Sequence, residues 1–182
     1  MNKLFIALSA ALALGASASA SAQSGEITFN GEVTSTTCAI TWPGAGGTAQ
    51  DPIVTLPTVP TTSLAAAGAT AGKQAVSLVI GTGTGTCTTG TAALELNPNR
   101  DAKETNGFLD NTATVDAAPG VQIALRDDSD AAIDIRKPWR SAEIDLSTTQ
   151  QIDFAAEYRA SAATGAGAGK VTSAVNYTVD YK

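Results

Sequence analysis

The chain has no histidine, two cysteines and one methionine in 182 residues. Without histidine it lacks the side chain most often used as a general base near neutral pH, and the commonest nitrogen ligand for metals. Two cysteines with no histidine are too few to build a thiolate or imidazole metal centre. Aromatic residues supply only 5%, so the core must rest on many small and β-branched contacts. Past residue 14 no apolar run approaches the roughly 20 residues that a membrane span needs. The basic residues form no stripe and the formal net charge is −6, which makes nucleic acid and anionic membrane poor partners.

What is present begins with an export signal. Lys3, the apolar residues 4–14 and the alanine and serine run of residues 16–22 give the charged, hydrophobic and cleavage regions of a secretory signal peptide. Cleavage is expected after Ala22, leaving Gln23 first; overlapping A-x-A sites keep cuts two to four residues earlier open. No cysteine follows the cut to carry a lipid, so the mature chain is expected to be soluble. Loss of Lys3 takes the charge from −6 to −7. The remaining length of about 160 residues suits one domain. In an oxidising compartment the two cysteines are most simply one disulfide, Cys38 to Cys87, whose loop of about 50 residues contributes roughly 4 kcal/mol through loop entropy.

Alanine, glycine, threonine and valine crowd the chain, and short strand patterns alternate with Gly, Pro, Asn and Asp turns. Period-two alternation predicts strands at residues 25–31, 32–40, 75–80, 92–96, 121–126, 131–135 and 144–146. Residues 51–56, fenced by Pro52, Pro57 and Pro60, suit an edge, because proline donates nothing to a ladder. Residues 64–71 suit one helical turn. In residues 151–160, Ile152, Phe154, Ala156 and Tyr158 face one way and Asp153, Ala155, Glu157 and Arg159 the other. After a glycine-rich segment, residues 164–169, expected as a flexible turn, Val171, Val175, Tyr177, Val179 and Tyr181 share one parity. These last two strands are expected to form a hairpin. The whole predicts an all-β, immunoglobulin-like sandwich in preference to a barrel.

Other signals carry less. Asp127, Asp128 and Asp130 lack the ordered ligands and closing glutamate of a calcium loop and suit a hairpin turn between Leu125 and Ile133. Residues 81–85 have neither the spacing nor the helix of a phosphate loop. Trp139 lies among cations beside Pro138, and Trp42 beside Pro43; both suit surface turns. No set of acid, base and nucleophile meets the needs of a catalytic site, so no enzymatic activity and no cofactor are expected.

The two ends of the chain carry a resemblance. Gly25, Ile27, Phe29, Gly31 and Val33 alternate, Cys38 follows Phe29 by nine residues, Gly169 stands fourteenth from the end and Tyr181 next to last. Together with residues 51–56, the cysteine pair and residues 154–160, this resembles the subunits of chaperone-usher fimbriae, the pilins of type 1 and P-pilus-like fibres. The resemblance implies an immunoglobulin-like sandwich lacking its last strand. A periplasmic chaperone lends a strand to the gap, and at the outer-membrane usher the arm of the next subunit replaces it, a form of β-augmentation. It also implies residues 1–22 as signal peptide, 23–31 as donor-strand arm and 32–182 as pilin domain. Gly25, Ile27 and Phe29 are the implied donor contacts. Gly169, Val171, Val175, Tyr177, Val179, Tyr181 and Lys182 are the implied groove and chaperone contacts, with the Lys182 carboxylate held by basic chaperone residues.

The physics of such a joint is accessible from these residues. Nine residues span roughly 30 Å as a strand. Burial of Ile27 and Phe29 supplies roughly 1.5 to 3 kcal/mol each, and each ladder hydrogen bond about 0.5 to 1.5 kcal/mol, against the entropy of ordering the arm. Two rival readings stand beside a major rod subunit. One is a minor tip adaptor or single-domain adhesin that binds glycan through Trp139 or Trp42. The other is a closed secreted monomer in which residues 25–29 form the first strand of their own sandwich.

Overall fold

The computed structural model describes residues 38–81, 87–97 and 106–182, and the fold is almost wholly β. In chain order the strands are β1 (Ile40–Thr41), β2 (Gly46–Gly47), β3 (Pro52–Ile53), β4 (Thr70–Ile80), β5 (Thr91–Asn97), β6 (Leu109–Asp110), β7 (Val121–Arg126), β8 (Ala132–Ile133), β9 (Trp139–Arg140), β10 (Ile144–Asp145), β11 (Gln151–Ala160) and β12 (Asn176–Tyr181). The one helical piece among the described residues is a 3-10 turn at Thr61–Leu64. It precedes the alanine-rich stretch where a turn was expected, because Pro60 supplies an extended N-cap and the chain is already a strand by Thr70.

Two sheets face each other. One runs β1-β4-β11-β7-β6, with β8 also paired to β7; the other runs β10-β5-β12, with β9 also paired to β5; β2 and β3 form a separate two-stranded ribbon. The inward residues of both sheets make one core, in which Leu78, Ile80, Leu94, Leu96, Ile133 and Ile135 are the largest fully buried side chains. Branched aliphatic side chains dominate this core, and Trp42 is the aromatic among its buried residues. The Cys38–Cys87 disulfide forms, with its Cα atoms 5.5 Å apart, and both cysteines pack against this core. It ties the start of β1 in one sheet to the approach to β5 in the other.

Strand β11 alternates as its sequence predicts at its first half, where Ile152 is buried and Gln151 and Asp153 are exposed. In the second half the outward residues are buried as well. Glu157 is only 6% exposed and accepts a hydrogen bond from Arg126 Nε at 2.7 Å, while the Arg159 guanidinium sits 4.1 Å from the centre of the Phe108 ring. Residues 106–110 cover this end of the sheet, and Gln122 joins them by hydrogen bonds to Asn106 and Asp110.

Three expectations are corrected. Strands β11 and β12 do not form a hairpin: β11 lies between β4 and β7, and β12 pairs with β5 in the opposite sheet. Trp42 is no surface turn residue, being 9% exposed and packed edge-on against Phe154 and Tyr177. Trp139 is not in a loop: it lies in β9 opposite Leu96, half-buried against the core. The turn expected at Asp127–Asp130 is present between the paired residues Leu125 and Ile133, with the Asp127 carboxylate accepting from the amides of Ser129 and Ala131.

Candidate functional site

The last strand defines the site. In β12, Asn176 and Thr178 are exposed while Tyr177, Val179 and Tyr181 are half-buried against the core, and Val171 and Val175 continue the same parity upstream. None of these five apolar side chains is fully buried. They sit where a core should close, yet the strand has a neighbour on one side only, since among the described residues β12 pairs with β5 alone.

The register shows which backbone groups are left over. Thr91 and Lys182 exchange both backbone hydrogen bonds, N to O at 2.9 and 3.0 Å. Antiparallel partners alternate between bonded and non-bonded pairs, so Asp180, Thr178 and Asn176 also direct their N–H and C=O groups at β5. Tyr177, Val179 and Tyr181 therefore direct theirs at the opposite, unpaired edge. Tyr177, Val179 and Tyr181 thus combine incompletely covered side chains with backbone groups that have no ladder partner among the described residues. An edge of this kind is a template on which a further extended strand can pair.

A further segment, residues 52–56, also meets this core through the half-buried Val54 and Leu56. No backbone hydrogen bond joins it to β12 among the described residues. A side chain does link β12 to residues just ahead of this segment. The Tyr177 hydroxyl donates to the Ala49 carbonyl at 2.8 Å, with the Gln50 carbonyl also within reach at 3.1 Å. Trp42 Nε1 donates to the same Ala49 carbonyl at 2.9 Å, and its ring lies edge-on to Tyr177 with centroids 5.1 Å apart. Burial, and to a lesser degree the neighbouring Tyr177, push the Tyr181 phenol above its ordinary pKa, so it stays neutral at physiological pH.

Gly169 admits the strand into this position. With φ of 154° it lies against residues 116–118, where an added Cβ would fall 2.5 Å from the Asp116 carbonyl oxygen and 2.6 Å from the Ala117 carbonyl carbon. The next residue, Lys170, donates its N–H to Asp116 at 2.6 Å and accepts from Ala118 at 2.9 Å. Gly169 is thus a point of close backbone approach. The segment before it is tied down as well: Ala166 donates to Leu64 at 2.8 Å and Gly167 to Pro119 at 2.9 Å, so the turn expected to be flexible is anchored at both of these residues.

At the other end of β12, the Lys182 carbonyl accepts from Thr91 and the Lys182 ammonium lies 3.3 Å from Glu143. The Thr91 hydroxyl also bonds Glu143, and these hydrogen bonds, that from Thr91 first, lower the Glu143 pKa. On the outer face Arg140 bridges Asp180 at 2.7 Å and reaches Glu95 at 4.0 Å. Charge keeps the outward side of the strand polar. The proposed donor contacts Gly25, Ile27 and Phe29, and the segment 82–86, lie outside the described residues. Among the described residues no cluster of three or more metal-ligating side chains is present, and no helix is long and apolar enough to cross a membrane.

An all-β sandwich with one unclosed edge beside its carboxyl-terminal strand is the architecture of a fibre-forming pilin. Residues 27–182 match the family described as fimbrial protein, and the chain belongs to that family: it is a fimbrial subunit, a component of surface fimbriae. Among its relatives, the major fimbrial subunit SMF-1 of Stenotrophomonas maltophilia is 35% identical over 172 residues, covering 89% of this chain and 95% of the relative. The F17 fimbrial protein of Escherichia coli is 34% identical, covering 94% of each. In fold the chain is similar to the P pilus rod subunit PapA, with TM-score 0.51 and 16% identity over 87% of this chain and all of that one. A type I fimbria protein of Burkholderia pseudomallei gives TM-score 0.51 and 22% identity over 80% and 99%. The fold is therefore the incomplete immunoglobulin-like sandwich of chaperone-usher pilins.

Of the sequence-predicted residues, Tyr177, Val179 and Tyr181 share the edge of β12 that faces away from β5, and Val171 and Val175 pack half-buried against the same core. Gly169 and Lys182 flank these residues, one as a backbone contact and the other paired to Thr91. Sequence reasoning missed the hydroxyl bond from Tyr177 to Ala49, for which a chain of alternating residues offers no signal, and the burial of Trp42 that accompanies it.

Proposed function

We propose that the chain is a structural, non-enzymatic rod subunit that polymerises by donor-strand exchange. The observation that carries this is the edge of β12 that has no partner among the described residues, where Tyr177, Val179 and Tyr181 offer half-buried side chains and outward-directed backbone groups. Residues 1–22 direct export, residues 23–31 form the arm, and residues 32–182 form the pilin domain. The arm of a neighbouring copy adds a strand beside β12, with Ile27 and Phe29 entering the core and Gly25 passing a point where a side chain would obstruct. A periplasmic chaperone occupies the same edge beforehand and an outer-membrane usher receives the subunit. The buried Trp42 and the strand-bound Trp139 do not form exposed loops for a glycan, which supports a rod subunit over a tip adhesin.

The test is the paired substitution Gly25→Arg with Ile27→Asp. Purified mature chain carrying both should remain unpolymerised under conditions in which the native chain forms fibres, as read by light scattering and electron microscopy. Polymerisation at the native rate would remove the arm as the donor.

A further inference from the structure

The fold requires glycine at position 107. Gly107 is buried with φ of 90°, and an added Cβ would fall 2.7 Å from Asp134 Oδ1. Its carbonyl accepts from the amide of the buried Ile135 at 3.2 Å. Position 106 has a different demand. Asn106 and Gln122 of β7 form a reciprocal pair, in which Asn106 Nδ2 donates to Gln122 Oε1 and Gln122 Nε2 donates to Asn106 Oδ1, both at 3.0 Å. Packing selects glycine at one position and hydrogen bonding selects an amide at the one before it. Together they create an Asn-Gly dipeptide, in which no Cβ shields the second residue's main-chain nitrogen from the asparagine side chain.

We infer that Asn106 is a site of spontaneous deamidation and that Gln122 sets its rate. The Gly107 main-chain nitrogen attacks Asn106 Cγ, so that a C–N bond forms and the Cγ–Nδ2 bond breaks. Nδ2 takes up the Gly107 amide proton and leaves as ammonia, and a five-membered succinimide remains. Water opens this ring at either carbonyl, giving aspartate or, with the main chain rerouted through the side chain, isoaspartate. Solvent is the one co-reactant, and nothing is oxidised or reduced.

Two contacts act on this step in opposite senses. The Phe108 amide donates to Asn106 Oδ1 at 3.4 Å, which folds the side chain over the Asn106–Gly107 peptide and brings Cγ toward the attacking nitrogen. The pair with Gln122 holds the same side-chain amide planar at both ends. Gln122 is 5% exposed, and its Nε2 is fixed further by Asp110 Oδ1 at 2.6 Å, so Asn106 must give up two hydrogen bonds to react. Asn106 itself is exposed, and water reaches the ring. Both products replace the Nδ2 donor with a carboxylate that competes with Asp110 for Gln122 Nε2. Isoaspartate also adds a carbon to the main chain just ahead of the carbonyl that anchors Ile135. The cover that residues 106–110 place on β7 therefore loosens as the subunit ages, whichever way the chain polymerises.

The experiment incubates the native mature chain, disulfide intact, at mildly alkaline pH beside the same chain reduced and unfolded in guanidinium chloride. Mass spectrometry of the tryptic peptide of residues 104–126 reads conversion at Asn106 and separates aspartate from isoaspartate. The folded chain should convert about 10-fold or more slowly than the unfolded one. Gln122→Ala should raise the folded rate about 3- to 10-fold, the equivalent of one net hydrogen bond, and leave the unfolded rate unchanged. Gln122→Met, which keeps the side chain's length without its amide, repeats the comparison if the alanine variant does not fold. Asn106→Asp, which reproduces one product, should melt below the native chain. No conversion in the folded chain after about 100 half-times of the unfolded one, a slowing greater than two hydrogen bonds impose, overturns the site. Equal folded and unfolded rates in the native chain, or a folded rate unmoved by loss of the Gln122 amide, overturn the control by Gln122. An unchanged melting temperature in Asn106→Asp overturns the loosening.

Discussion

A methyl group at position 169 would collide with main-chain atoms of Asp116 and Ala117, and backbone on both sides is fixed by hydrogen bonds. Neither wall is a flexible side chain that can swing aside. Gly169→Ala should therefore destabilise the donor-filled subunit by about 1 to 3 kcal/mol, measured by denaturant unfolding. A second residue-scale effect concerns Asp134. The Arg136 guanidinium beside it, joined by the Arg136 amide, lowers its pKa from 3.8 to about 2. Because the folded value is depressed, this stabilisation is fully present above the unfolded value of 3.8 and is lost as pH falls through about 2. The stability difference between native chain and Arg136→Ala should shrink over that window, and an NMR titration should show the Asp134 pKa rise in the variant.

At the scale of one element, β12 makes a sharper forecast. In the arm-disabled chain the amides of Thr178 and Asp180, which face β5, should exchange slowly with deuterium, while those of Tyr177, Val179 and Tyr181 exchange fast. Adding the residue 23–31 peptide should slow the second set and leave the first unchanged; uniform exchange along the strand would contradict the register. The parity of β12 was legible from sequence because alternation encodes which face a side chain takes. The partner was not. Alternation in residues 151–160 and 171–181 is equally compatible with a hairpin, and only the anchoring of Gly165, Ala166 and Gly167 on Leu64, Ala162 and Pro119 carries the chain across to the second sheet. Residue-scale context misled the reading of tryptophan too. Proline beside Trp42 suggested a surface turn, yet the indole is covered because Phe154 and Tyr177 converge on it from elements distant in sequence.

For the molecule as a whole, the terminal motifs and the cysteine pair made the family legible, since they depend on few residues at fixed distances from the ends. The disulfide closes a separation of 49 residues, and replacing Cys38 and Cys87 together by serine should cost about 2 to 5 kcal/mol, read from denaturant midpoints of the peptide-filled form. Its position has a mechanical consequence. Cys38 stands just ahead of β1, and Cys87 leads into β5, the strand that pairs with β12 along six register positions. If a neighbouring subunit's arm pairs with β12 as proposed, tension applied ahead of Cys38 reaches the sheet that holds β12 through a covalent bond.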